Sequence, residues 1–169
     1  MKMNTETVVI TGASSGIGEV LATNFAQGGF DLVLVARSEN KLEMLAQKIK
    51  TETQAKVWVE PADLSRRGAA KKLATTLSKQ GIEVDILVNC AGALEHGSFV
   101  DLPGSSHQGL IDLNISGLTS MLTQFIPPMV ARGKGRILNV ASIAAFQPVP
   151  SLATYAATKA YVLSLSESL

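Results

Sequence analysis

Five short apolar runs, each followed by a longer stretch with helical spacing, constrain this chain most. The runs are Thr7-Val8-Val9-Ile10, Leu32 to Val35, Val57-Trp58-Val59, Ile86-Leu87-Val88 and Ile137-Leu138-Asn139-Val140. A strand with one wet face alternates apolar and polar residues. A continuous apolar run is covered on both faces, as in a parallel sheet between two layers of helices. Helical intervals separate the runs: Ile17, Val20, Leu21 and Phe25, then Leu42, Leu45, Ala46 and Ile49, then Leu73 and Leu77. Gly28-Gly29 supplies a C-cap for the first helix. A long helix is predicted from about Ser105 towards Pro127, and a last one from near Ser151 that carries Tyr155 and Lys159. Strict alternation of strand and helix implies right-handed crossovers and an α/β, doubly wound parallel sheet. No repeat, low-complexity tract or flexible linker interrupts the pattern, and Gly133-Lys134-Gly135 reads as a turn. The 169 residues suggest one domain over 1–169.

Composition removes several classes of function. Hydrophobic residues make up 46% and charged residues 17% of the chain, enough for a substantial core. The net charge is +1 and no long run carries one sign, so the basic footprint of a nucleic-acid binder is missing. The longest weakly polar stretch, Gly109 to Ala131, contains Asp112, Asn114, Pro127 and Pro128, which argues against a membrane span. The N-terminus enters the first strand almost at once, leaving no room for a signal peptide. A single cysteine, Cys90, forms no internal disulfide and fits a reducing compartment. Its place at a buried strand end reads as packing rather than nucleophilic chemistry. His96 and His107 lack metal-ligand spacing and read as surface-loop residues. No metal site is expected. Trp58 reads as core packing in the third strand.

Two clusters carry chemistry. Thr11-Gly12-Ala13-Ser14-Ser15-Gly16-Ile17-Gly18 joins the first strand to the first helix. Gly12 permits a tight turn, and Gly16 and Gly18 permit close approach of backbone and ligand. The helix N-terminus offers free amides and a positive dipole end to a pyrophosphate. At the end of the second strand stands Arg37, where an acidic residue would bond the ribose hydroxyls of NAD. A guanidinium there suits a 2′-phosphate, with Ser14 or Ser15 as hydroxyl partners, and so favours NADP(H). The alternative is a solvated surface arginine. Asp31 lies at the wrong end of that strand to compete. The second cluster is Tyr155 and Lys159, at i and i+4 on one helix face, with Ser142 at the C-terminal end of the fifth strand. A free phenol, with a pKa near about 10, is a poor acid-base group near neutrality, and a fixed ammonium beside it stabilises the phenolate. The Ser142 hydroxyl can bond a carbonyl or alcohol oxygen. Asn114 lies inside the predicted long helix, an unfavourable place for asparagine.

The spacing Gly-x-x-x-Gly-x-Gly, the segment Asn89-Cys90-Ala91-Gly92, and Asn114, Ser142, Tyr155 and Lys159 in order resemble the short-chain dehydrogenase/reductase family over nearly the whole chain. Cys90 departs from the family's asparagine at that place. The resemblance implies a Rossmann-type oxidoreductase that moves a hydride reversibly between NADP(H) and a ketone or secondary alcohol. It implies that Tyr155 donates the proton, Ser142 polarises the carbonyl, Lys159 grips the nicotinamide ribose, and Asn114 holds a water. It places Asp63 near the adenine amino group, although a cap for the following helix is an equal reading. It places Asn89, Ala91 and Gly92 beside the adenosine ribose. Ile143 to Gln147 and Ala93 to His96 are expected near the substrate. A cytoplasmic homodimer or homotetramer is implied for the full-length protein, paired through the long helix and the Tyr155 helix. An inactive NADP-binding fragment, or a redox-sensing module on the same fold, is the competing expectation. Tyr161, Val162, Leu165 and Leu169 continue their apolar pattern without a stop signal, which predicts a C-terminally incomplete sheet. About 80 further residues would complete a domain of ordinary size.

Overall fold

The computed structural model describes residues 5–169. Five parallel strands stand in the order β3-β2-β1-β4-β5: β1 Thr7–Thr11, β2 Asp31–Ala36, β3 Val57–Pro61, β4 Ile86–Asn89 and β5 Arg136–Asn139. The helices between them are α1 Gly16–Gln27, α2 Glu39–Glu52, α3 Ala69–Lys79, α4 Gly104–Ile111 and α5 Leu118–Ala131, with α6 Ala153–Ser168 after β5. This is the doubly wound Rossmann arrangement that the alternating pattern predicts. The strand order reverses at β1, because the chain first builds towards β3 and then returns to build β4 and β5 on the other side.

The two faces of the central strands bury separate cores. Val8 and Ile10 of β1, Leu32 and Leu34 of β2, and Ile86 and Val88 of β4 pack with Ala22 and Ala26 of α1 and Leu42, Leu45 and Ile49 of α2. Val9, Val33, Val35 and Leu87 point the opposite way, onto Leu73 and Leu77 of α3, Met121 and Phe125 of α5, and Val162 of α6. The continuous apolar runs are therefore explained by one helix layer on each side. Trp58 is partly buried against the second of these cores, as expected.

At the N-terminal end of the sheet, Asp85 accepts a hydrogen bond from the Thr7 amide at 3.0 Å. Lys134 bridges Asp85 at 3.2 Å and Glu6 at 2.9 Å, and Glu6 also pairs with Arg136. The group ties β1, β4 and β5 together. Asp31 does the same for β3, its carboxylate accepting from the Lys56 amide at 2.8 Å. That contact confirms its position at the end of β2 away from Arg37.

Three expectations need correction. The long helix does not stop at Pro127; α5 carries Pro127 and Pro128 inside it and ends at Ala131. The missing proline donors are outweighed by Leu118, Met121, Leu122, Phe125 and Met129, which are buried at helical spacing along α5. The helix is also broken upstream by a π-helical turn, Asp112–Gly117, between α4 and α5. Finally, β5 is not covered on both faces: Ile137 is 37% and Leu138 42% exposed. Its apolar composition matches that of the central strands, but it lies at the edge of the sheet. Among the described residues no helix is long and apolar enough to cross a membrane.

Met121 is fully buried, whereas Met44 on α2 is largely exposed. Met121→Ala should destabilise the fold by about 2–5 kcal/mol, and Met44→Ala by less than about 0.5 kcal/mol. Chemical unfolding of both variants checks the assignment of the core; equal losses would contradict it.

Candidate functional site

The site begins where β1 meets α1. Gly12 has φ +70°, and a Cβ there would lie 2.9 Å from the Ala91 backbone. A Cβ on Gly18 would run into the Gly12 carbonyl. The turn after β1, the start of α1 and the chain leaving β4 therefore interlock at van der Waals contact, and only glycine fits both places. The Thr11 hydroxyl fixes this crossing. It accepts from the Cys90 and Ala91 amides, each at 3.0 Å, and donates to the Val88 carbonyl at 3.3 Å. Ser15 caps α1 in extended conformation with no side-chain bond, so the first-turn amides remain available to a ligand.

A cleft of about 480 Å³ opens above this crossing. Gly12, Ser14, Ser15, Ile17 and Gly18 form its floor, Arg37 and Asp63 lie towards β2, and Ala91, Gly92, Tyr155 and Lys159 lie towards β5. Ile17, 61% exposed, adds an apolar side chain to that floor. Eleven residues singled out from the sequence thus share one cavity.

Four others do not line it. Gly16 opens α1 with φ +57° and has no close neighbour at its Cβ position. Asn89 is buried in the sheet, its amide donating to Asn139 Oδ1 at 2.9 Å. Ser142 caps the short 3₁₀ turn Ile143–Ala145, its Oγ accepting from the Ala144 amide at 3.2 Å. Asn114 lies in the π turn, and its amide donates to the Ala93 carbonyl and Thr158 Oγ1, both at 3.0 Å. Its oxygen accepts from the Ala93 amide at 2.9 Å. A helix-interior asparagine is tolerated here because the π turn and these three bonds satisfy it.

Lys159 is buried, and its ammonium donates to the Val140 carbonyl at 2.8 Å. Its Nζ stands 5.9 Å from the Tyr155 ring centroid. Burial pushes the Lys159 pKa below the ordinary lysine value, which a thiolate at Cys90 would oppose. Burial pushes Cys90 up more than Lys159 pulls it down, so Cys90 stands as a thiol on the cleft wall. The Asp63 carboxylate accepts from Ser65 Oγ at 2.6 Å, the Ser65 amide at 3.1 Å and Arg66 Nε at 3.4 Å. Those bonds, Ser65 first, hold its pKa below the usual carboxylate value. Asp63 therefore organises its own turn while also facing the cleft.

Ser38, Lys41 and Leu113 also line the cleft and were not picked out from the sequence. Arg37, in the bend after β2, and Lys41, in the first turn of α2, bring two cations to the same cleft. Lys41 reads in sequence as an ordinary solvated lysine of α2. Of the residues expected near a substrate, Ala93 and Leu94 share the cleft, whereas Ala144 to Gln147 line a separate apolar groove. His107 is not in a loop: it lies in α4 and bonds Thr154 and Phe99. Among the described residues no group of three or more His, Cys, Asp or Glu is placed to hold a metal ion.

The sequence profile described as short chain dehydrogenase matches residues 6–169. The chain belongs to the short-chain dehydrogenase family. An uncharacterized oxidoreductase of Staphylococcus epidermidis is 33% identical over 168 residues, which cover 99% of this short-chain dehydrogenase and 71% of that protein. The bulky-bulky ketone specific alcohol dehydrogenase from Comamonas testosteroni superposes with TM-score 0.92 at 36% identity, covering 99% of this chain and 67% of that one. A short-chain dehydrogenase from Sphingobium yanoikuyae, solved in complex with NADPH, gives TM-score 0.91 at 40% identity, with 97% and 64% covered. The chain thus spans about two thirds of the length of these structures.

In this short-chain dehydrogenase, Asn114→Ala should cost about 1–3 kcal/mol, because it leaves both backbone groups of Ala93 without their partner. Thermal unfolding measures the loss. An unchanged melting temperature would remove Asn114 from the architecture of the cleft.

Proposed function

We propose that this chain forms the cofactor-binding and proton-transfer half of an NADP(H)-dependent carbonyl reductase or alcohol dehydrogenase. The observation that carries the reading is the shared cleft, with Arg37 and Lys41 towards β2 and Tyr155 with Lys159 towards β5. A dinucleotide fits the floor, where the Gly12–Gly18 crossing excludes side chains and the α1 amides stay free for a pyrophosphate. Arg37, Ser38 and Lys41 present two cations and a hydroxyl to a 2′-phosphate, with Ser14 and Ser15 as further hydroxyls. Asp63 and Ala91 bound the adenosine side, and Gly92 leaves the approach to Lys159 open, since a Cβ there would lie 3.6 Å from its Nζ.

When bound, the nicotinamide supplies the hydride that reduces a carbonyl carbon to an alcohol. Tyr155 supplies the proton: its O–H bond breaks as the alkoxide oxygen takes the proton, and its phenolate is then reprotonated from solvent. The Lys159 ammonium, anchored on Val140, stands beside that phenolate and stabilises it. Ser142 polarises the carbonyl with its hydroxyl proton, which the bond that its oxygen accepts from the Ala144 amide leaves free. Asn114 keeps Ala93 and the chain after β4 in place and holds the water path to Lys159. The substrate class is a ketone or its secondary alcohol.

Two experiments test the reading. Arg37→Asp should weaken NADPH binding about 10- to 100-fold, and Lys41→Ala several-fold, with NADH binding spared. Fluorescence titration with the two cofactors separates them; equal NADPH affinity in Arg37→Asp would eliminate the 2′-phosphate site. Tyr155→Phe should lower kcat for ketone-dependent NADPH oxidation by about 10²–10⁴ while NADPH affinity stays within about twofold. NADPH binding without oxidation across a panel of ketones and alcohols would instead establish the binding-module alternative.

A further inference from the structure

The helix that carries Tyr155 starts badly. Leu152 precedes α6 and provides no side-chain cap. Ser151, one residue earlier, is the one non-glycine residue with positive φ among the described residues, at +63°. A serine in that left-handed conformation persists only where its surroundings hold it. Two contacts from outside hold the start of the helix, one on Ser151 itself and one on Thr154. The Gly97 amide donates to the Ser151 carbonyl at 2.9 Å. His107 of α4 bonds Thr154 Oγ1 through Nδ1 at 2.7 Å and the Phe99 carbonyl through Nε2 at 3.1 Å.

The second pair of bonds fixes the imidazole. A carbonyl only accepts, so Nε2 carries a proton and donates to Phe99. In the neutral ring Nδ1 is then the acceptor, and the Thr154 hydroxyl donates to it. The ring also packs on Phe99, with centroids 4.5 Å apart. One side chain thus locks the loop after β4 to the first turn of α6, at the residue immediately before Tyr155. Neither His107 nor Thr154 lines the cleft.

We infer that His107 is a positioning residue, which sets the approach of the Tyr155 hydroxyl by clamping Thr154 against the Phe99 loop. The inference rests on the reading of Tyr155 as proton donor. Misplacing a reacting group by a fraction of an ångström lowers turnover without removing any group that binds cofactor. Loss of the clamp therefore lowers kcat about tenfold and leaves NADPH affinity unchanged.

Two near-isosteres divide the clamp. In His107→Asn the amide occupies the place of Nδ1 and keeps the Thr154 bond. In His107→Gln the terminal amide nitrogen occupies the place of Nε2 and keeps only the Phe99 bond. Thr154→Val removes the hydroxyl from the other side. Expected are a tenfold loss of kcat in His107→Gln and Thr154→Val, near-normal kcat in His107→Asn, and a double variant no worse than either single loss. NADPH affinity should be unchanged throughout. Amide hydrogen exchange over residues 153–158 provides a readout that needs no turnover: protection should fall about tenfold in His107→Gln and Thr154→Val and hold in His107→Asn. Equal protection in all three variants overturns the clamp, as does a kcat loss in His107→Asn as large as that in His107→Gln. If exchange follows the expected pattern but the wild-type chain oxidises NADPH with no carbonyl compound, the clamp stands and the reductase reading fails.

Discussion

The Thr11 hydroxyl is the contact on which the rest of the site depends. Up to Ile10 and Val88, β1 and β4 run as a regular parallel pair. One residue later the backbone ladder ends, and a single side-chain oxygen takes over both the Cys90 and Ala91 amides while donating to Val88. A hydroxyl has one proton and two lone pairs, so this one is fully used. The two strands separate there without leaving buried amides unpaired. The cleft exists because the sheet can open at this point at little cost.

The interlocking glycines follow from the same crossing. With β4's continuation pinned to Thr11, Ala91 lies against Gly12, and Gly12 against Gly18. At this crossing the floor of the cleft is therefore bare backbone and helix N-terminus, a surface suited to phosphate oxygens. On the far side, Asn114 and Thr158 extend the network. Asn114 brackets Ala93 and bonds Thr158, whose hydroxyl donates to the Tyr155 carbonyl at 2.7 Å. Buried polar links run from β4 through the π turn to the helix of Tyr155. Lys159 joins them through Val140, at the end of β5.

The sheet is supported unevenly. β1, β2 and β4 are buried on both sides, and the charged group of Glu6, Asp85, Lys134 and Arg136 ties the ends of β1, β4 and β5. β5 is exposed on both faces, with Ile137 and Leu138 on opposite sides of the strand. The proton-transfer residues thus hang from the less covered edge, while the phosphate-binding floor sits on the buried centre.

The sequence alone determined the parallel α/β class, the strand-helix context of the glycine motif, and the helical pairing of Tyr155 with Lys159. These are local properties: uninterrupted apolar runs, glycine spacing, and an i,i+4 interval. Tertiary structure decided what local pattern does not encode. Only the packing left both faces of β5 exposed, although its residues match those of the buried strands. Burial of five apolar residues overrode two prolines in α5. The π turn and its partners explained Asn114, and packing of α4 against α6 turned His107 from a loop residue into a clamp. Lys41 joined Arg37 because α2 starts at the mouth of the cleft. Each depends on which residues meet across more than a helical turn of sequence, and periodicity carries no record of that.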